Sequence, residues 1–168
     1  MSKDLIVYDV DTKEEDVLSV FGDGYTLFSA TPIVKDCVGC FGCWVRSPGE
    51  CVIKDRCSVI PGLISKSDEL IIISPIVYGG YSVKIKAVLD RSIGYVLPYF
   101  RMIDGEMHHQ LRYDNHQFKL TVYFYGECDE EEKEIASNLV KANAVNLGAA
   151  NYEILFFDRY DSIRKANV

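Results

Sequence analysis

The 168 residues are 48% hydrophobic and 26% charged, a composition that suits one soluble globular domain over residues 1–168 with one core. The net charge of −7 argues against a nucleic-acid partner, which needs a basic face, and no apolar run approaches the roughly 20 residues of a membrane span. The N-terminus leaves no room for the apolar core of a signal peptide, so a cytoplasmic protein is expected. In chain order, Leu5 to Val10 reads as a first strand. Thr12-Lys-Glu-Glu15 fits a capping box for a short helix over Lys13 to Phe21, and Gly22-Asp-Gly24 ends it. Tyr25 to Ala30 reads as an edge strand, and Val59 to Ser65 as a short helix with Pro61 in its first turn. Leu70 to Ile73 is a uniformly apolar, β-branched run, the pattern of a central parallel strand buried on both faces. Ser82 is placed to cap a helix carrying Val83, Ala87, Val88 and Arg91. Asp104-Gly105 has the form of a two-residue hairpin turn. Phe118 to Tyr125 reads as another buried strand. An acidic first turn at Asp129 to Glu132 then opens a helix with Ile135, Ala136, Leu139, Val140, Ala144 and Leu147 on its inner face, stopped by Gly148. Tyr152 to Phe157 is the last strand, with only 11 residues beyond it.

Strands that alternate with helices predict a doubly wound α/β domain of five parallel strands in the order 2-1-3-4-5, with helices on both faces. The first and last helices share a face and are both short. The strands they should cover, Leu5 to Val10, Leu70 to Ile73 and Tyr152 to Phe157, are among the most apolar in the chain. A homo-oligomer that buries this face is the expectation.

Two stretches carry chemistry. Glu69 to Arg91 combines a buried strand, a Pro/Gly loop and a helix, the pattern at the carboxyl end of a parallel strand, where open α/β sheets bind ligands. The six cysteines include five between Cys37 and Cys57. In a reducing compartment these are not expected to form a disulfide framework. The spacing Cys37-x2-Cys40-x2-Cys43-x7-Cys51 is compatible with an iron–sulfur cluster, with zinc, or with a folded loop that holds no metal. His108 and His109 read as a solvated pair or a subunit contact ahead of a substrate contact or proton-transfer pair, and Phe41 and Trp44 as core or lid residues ahead of a nucleotide site.

Cys37-Val-Gly-Cys40-Phe-Gly-Cys43-Trp, Pro48-Gly-Glu-Cys51, Ile73-Ser-Pro-Ile-Val-Tyr78 and Lys86-Ala-Val-Leu-Asp-Arg91 follow one another in that order. Together they resemble the flavodoxin-like family of FMN-dependent NAD(P)H oxidoreductases, and especially its cysteine-motif branch, which includes the iron–sulfur flavoproteins. The resemblance spans about residues 37 to 125. It implies a flavodoxin-like three-layer fold with FMN at the carboxyl edge of the sheet. The isoalloxazine ring would lie against Ser74, Pro75, Ile76, Val77, Tyr78 and Gly79, with NAD(P)H as electron donor and a small-molecule or protein acceptor. The sequence departs from the family after the first strand. There a Ser/Thr-rich phosphate loop is replaced by Asp9-Val-Asp11-Thr-Lys-Glu-Glu15, which sets carboxylates beside a phosphate dianion. Three functions stay open: an FMN oxidoreductase, an electron-transfer protein with a cluster on Cys37, Cys40, Cys43 and Cys51, and a cofactor-free flavodoxin-fold subunit that acts through protein contacts.

Overall fold

The structure, a computed structural model, describes residues 4–113 and 116–166. Expectations that reach residues 1–3, 114–115 or 167–168 lie outside the described residues there. Five parallel strands form one sheet: β1 (Leu5–Tyr8), β2 (Thr26–Ser29), β3 (Glu69–Pro75), β6 (Lys119–Tyr125) and β7 (Asn151–Phe157). Their order is β2-β1-β3-β6-β7. With the intervening hairpin set aside, this is the expected 2-1-3-4-5. The hairpin, β4 (Val96–Ile103) and β5 (Glu106–Leu111), pairs only with itself. Asp104 and Gly105 both have positive φ, as a two-residue hairpin turn requires.

The uniform hydrophobicity of β1 and β3 has the expected cause, since neighbouring residues point to opposite buried faces. Leu5, Val7, Leu70 and Ile72 join one core, and Ile6, Tyr8, Ile71 and Ile73 join the other. Each such fully buried Leu or Ile contributes roughly 1.5–3 kcal/mol. The first core is covered by α3 (Ile60–Ile64), α4 (Val83–Asp90) and α5 (Glu130–Leu147), while α2 (Gly42–Val45) is a single turn in the cysteine segment. The second is covered by α1 (Glu14–Phe21) and α6 (Tyr160–Ala166), through Val17, Val20 and Ile163. Short as they are, these two helices leave β1 and β3 buried. The face expected to be bare is therefore closed there, because partly buried Phe21, Tyr123, Tyr125 and Tyr160 fill what the helices do not reach. Tyr152 on β7 stays exposed, and four more exposed apolar side chains, Tyr99, Phe100, Met102 and Met107, gather on the hairpin.

Local signals behaved unevenly. Asp129 and Glu132 form a complete capping box on α5, and Gly148 closes that helix at φ 71°. Ser82 Oγ accepts from the Ile85 N–H at 3.2 Å and caps α4. In that helix Ile85 is buried with Ala87 and Val88, whereas Val83 is exposed. The box expected at Thr12 is absent. The N-cap of α1 is Lys13, and the Thr12 hydroxyl donates to Asp16 Oδ2 at 2.8 Å. The strand expected to stop at Ser74 runs on to Pro75, where its last residue can lack an N–H without breaking the ladder.

Candidate functional site

Strands β1, β3 and β6 end together at the carboxyl edge, and the loops after them set out the site. The loop after β3 is fixed from inside. Ser74 is fully buried; its Oγ accepts from the Ser82 N–H at 2.9 Å and donates to the Pro75 carbonyl at 2.8 Å. Both hydrogen-bonding roles of Ser74 are thus spent on the loop. The Ile76 N–H donates to the Tyr125 carbonyl, and Val77 and Gly80 exchange N–H···O bonds at 3.0 Å. That exchange forces Tyr78 and Gly79 into the left-handed region, at φ 49° and 69°. Only glycine fits the second position, because a Cβ there would sit 2.8 Å from Ile135 on α5. The result is a rigid tip at which Tyr78 is 91% exposed. Among the described residues, the N–H groups of Tyr78 and Gly79 have no partner. Of the six expected ring-contact residues, Val77 and Tyr78 present atoms outward; Gly79 is buried against α5, and Ser74, Pro75 and Ile76 hold the tip in place.

The loop after β1 is organised around Asp9, which is almost fully buried. Its N–H donates to the Ile73 carbonyl, and its own carbonyl accepts from the Tyr125 hydroxyl at 2.6 Å. Burial, followed by the nearby Asp9 charge, pushes the Tyr125 hydroxyl up to about 12. The Asp9 carboxylate pairs with Lys84 Nζ at 2.9 Å, and Lys84 also donates to Thr31 Oγ1 at 2.9 Å. Lys84 and Tyr125 were not singled out from the sequence. Their partner is 75 and 116 residues away in the chain, so no local pattern marks them.

These two loops meet the demands of FMN unequally. The tip offers the flat exposed ring of Tyr78 and that residue's unpaired N–H, which suit the face and polar edge of an isoalloxazine. The start of α1 leaves first-turn N–H groups available but crowds them with Glu14, Glu15 and Asp16. Its one nearby hydroxyl, on Thr12, is committed to Asp16, a bond that draws the Asp16 carboxyl below the usual range. Lys84, the cation that could meet a phosphate, is neutralised by Asp9. The ring end fits a flavin; the phosphate end does not match a dianion.

The cysteine segment is held by a cation. Arg91 is fully buried and donates to Asp55 through two bonds of 2.7 and 3.0 Å, to the carbonyls of Lys35 and Ile53, and to Cys51 Sγ at 3.0 Å. The Asp55 carboxyl is drawn down to about 2, chiefly by the Arg91 hydrogen bonds. Cys37, Cys40, Cys43 and Cys51 line one small cavity of about 90 Å³, with Arg91 in its wall. Cys43 and Cys51 are buried and Cys37 and Cys40 exposed. Burial pushes the Cys43 thiol up, and Cys57 up to about 11. Among the described residues, no group of three or more His, Cys, Asp or Glu is arranged to hold a metal ion. The four thiols share a cavity without forming a ligand set, and Arg91 hydrogen-bonds Cys51 Sγ. Trp44 is anchored by its Nε1–H to the Val96 carbonyl at 2.9 Å, with Phe41 stacked on it at 5.3 Å. His109 packs against Trp44 rather than standing in solvent, and His108 pairs with Asn146.

No protein-family model matches the chain, and no curated protein matches it. Solved structures do. The NAD(P)H:quinone oxidoreductase from Methanothermobacter marburgensis superposes with a TM-score of 0.60 at 16% identity, over 99% of this chain and 94% of that one. The chain has a flavodoxin-like fold. The azoreductase from Bacillus anthracis str. Sterne gives 0.59 at 15% identity, over 99% and 95% of the two chains. An FMN-dependent NADH-azoreductase from Bacillus anthracis str. Ames Ancestor, in complex with FMN, gives 0.57 at 15% identity over 99% and 98%. Near-complete coverage in both directions means that the whole chain, and not one part of it, shares its fold with these structures. Identities this low carry the fold and not the activity. No helix among the described residues is long and apolar enough to cross a membrane.

Proposed function

We propose that this flavodoxin-like chain is an NAD(P)H-dependent flavin oxidoreductase. It holds the ring of FMN against the Ser74–Gly79 loop and serves a small-molecule or protein electron acceptor. The observation that carries the reading is the rigid tip at the carboxyl edge, with exposed Tyr78 and its unpaired N–H. A bound flavin supplies the capacity to accept a hydride and pass electrons on; the chain supplies orientation through the tip and a buried floor. Tyr78→Ala is the direct test. Flavin retained after dialysis should fall in the variant, and equal retention by variant and parent would remove the loop from the site.

A second reading, a cofactor-free subunit that acts through protein contacts, draws on the acidic start of α1. Flavin titration separates the two, because only the first expects saturable binding. A cluster on Cys37, Cys40, Cys43 and Cys51 has in its favour the cavity they share. The reading also takes the chain to be a cytoplasmic homo-oligomer. Tyr99, Phe100, Met102 and Met107 on the hairpin are the surface favoured for the contact, since each is more than half exposed. Light scattering in solution tests it: a mass near the 19.0 kDa of one chain at micromolar concentration would exclude an oligomer.

A further inference from the structure

The loops after β1 and β3 flank the switch point of the sheet, because the chain leaves β1 for α1 on one face and leaves β3 for α4 on the other. In an open α/β sheet that point is where a ligand crevice forms. The two strands are neighbours, and the Asp9 N–H donates to the Ile73 carbonyl at 2.9 Å. Lys84, in the first turn of α4, reaches across to Asp9 and to Thr31 in the loop after β2. The loop that carries Tyr78 and the acidic start of α1 therefore lead off the same part of the carboxyl edge. One offers a ring platform, and the other selects what the ring may carry.

The α1 end is short of donors. Thr12 Oγ1 donates to Asp16 at 2.8 Å and Ser29 Oγ to the Thr31 carbonyl at 3.0 Å. Thr31 Oγ1 faces Asp9 at 3.5 Å while it accepts from Lys84. Arg56 gives its guanidinium to the carbonyls of Ser29 and Pro32, and Lys84 is paired with Asp9. Lys13 is exposed, yet it stands among five carboxylates between Asp9 and Asp16. Of these, Asp11, Glu14 and Glu15 are exposed. Such a surface repels a phosphate dianion and gives it few donors. It is rich in acceptors, which is what hydroxyl groups need, and an O–H donated to a carboxylate is among the stronger hydrogen bonds.

We infer that the flavin selected here ends in free hydroxyls and carries no phosphate: riboflavin in preference to FMN, with its ring on the loop tip and its ribityl hydroxyls donating to Asp11, Glu14 or Glu15. The inference rests on the flavin reading proposed above and goes further, since it sets this chain apart from the FMN-dependent azoreductase that shares its fold. Charge is the selector. Each carboxylate within a screening length of the phosphate weakens FMN and leaves the uncharged tail of riboflavin alone.

Quenching of flavin fluorescence by the full chain measures the dissociation constants of riboflavin, FMN and lumiflavin, which keeps the ring and has no ribityl chain. At about 0.01 M salt riboflavin should bind about tenfold tighter than FMN, and the gap should close by about 1 M, where the screening length is about 3 Å. Lumiflavin should bind about tenfold more weakly than riboflavin at either salt, the size of one hydrogen bond to a charged acceptor. Asp11→Asn, Glu14→Gln and Glu15→Gln together change exposed side chains, so the fold should hold. In that variant the two flavins should move in opposite directions, FMN tighter and riboflavin weaker, whereas a merely structural effect would move both the same way. FMN as tight as riboflavin at low salt, lumiflavin as tight as riboflavin, or a shared shift in the variant would overturn the inference and leave the loop tip as a flavin site. Binding of none of the three would remove the flavin reading itself, and this inference with it.

Discussion

Asp9→Asn is expected to tighten FMN binding and leave riboflavin binding unchanged. In the native chain the Asp9 carboxylate holds Lys84 Nζ at 2.9 Å, and the Lys84 side chain is 40% exposed, so it faces solvent while its charge is cancelled. Asparagine keeps the shape and an acceptor for Thr31 and Lys84, and it removes the negative charge. The freed ammonium can then meet a phosphate oxygen. A hydrogen bond to a charged group contributes about 1.5–3 kcal/mol net, or roughly 10- to 100-fold in the dissociation constant. Riboflavin has the same ring and no phosphate, so it reports any change in the loop tip alone. Loss of a half-exposed ion pair should cost about 1 kcal/mol of stability or less, too little to unfold the protein. Quenching of flavin fluorescence at low salt measures both constants. If FMN and riboflavin shift together, or FMN does not shift, the phosphate does not lie beside the start of α1.

Three further outcomes follow from the cysteine segment and its anchor. Arg91→Met should destabilise the protein by about 3–5 kcal/mol in chemical denaturation, because it strands Asp55 and the carbonyls of Lys35 and Ile53. The same pair sets a pH dependence. The Asp55 carboxyl is held at about 2 in the folded state, below its unfolded value near 3.8, so its contribution is full above about pH 4 and is lost as pH falls through 2. That contribution is about 2 kcal/mol and should vanish from the acid limb of the stability curve in Arg91→Met. Protein purified without air should carry far less than stoichiometric iron and acid-labile sulfide. A full cluster would mean that Cys37, Cys40, Cys43 and Cys51 converge into the ligand set they do not form here.

Much of the fold was legible because its signals are local and repeat. The buried run at Leu70 to Ile73, the acidic start and glycine stop of α5, and the Asp104-Gly105 turn each depend on neighbours within a few residues. The misses were cases of competition or distance. Thr12 matched a capping pattern, but Asp16 claimed its hydroxyl. Ile135 followed the inner-face period of α5, yet it sits in the second turn under the loop tip and stays 48% exposed. Arg91 read as one more helical residue, and its role appeared only when Asp55, 36 positions earlier, came alongside. The tip itself was legible as a ligand loop from Ser-Pro and Gly-Gly. That Ser74 is an internal tie rather than a ligand contact depends on Ser82 folding back over it, which spacing does not reveal.

Titration of the purified protein with FMN and riboflavin, followed by absorbance and fluorescence, tests the central claim most directly. If the loop tip holds the flavin ring and the start of α1 gives the phosphate no help, both flavins bind saturably at one site per chain, with riboflavin at least as tight as FMN. Absence of binding by either flavin would contradict the account.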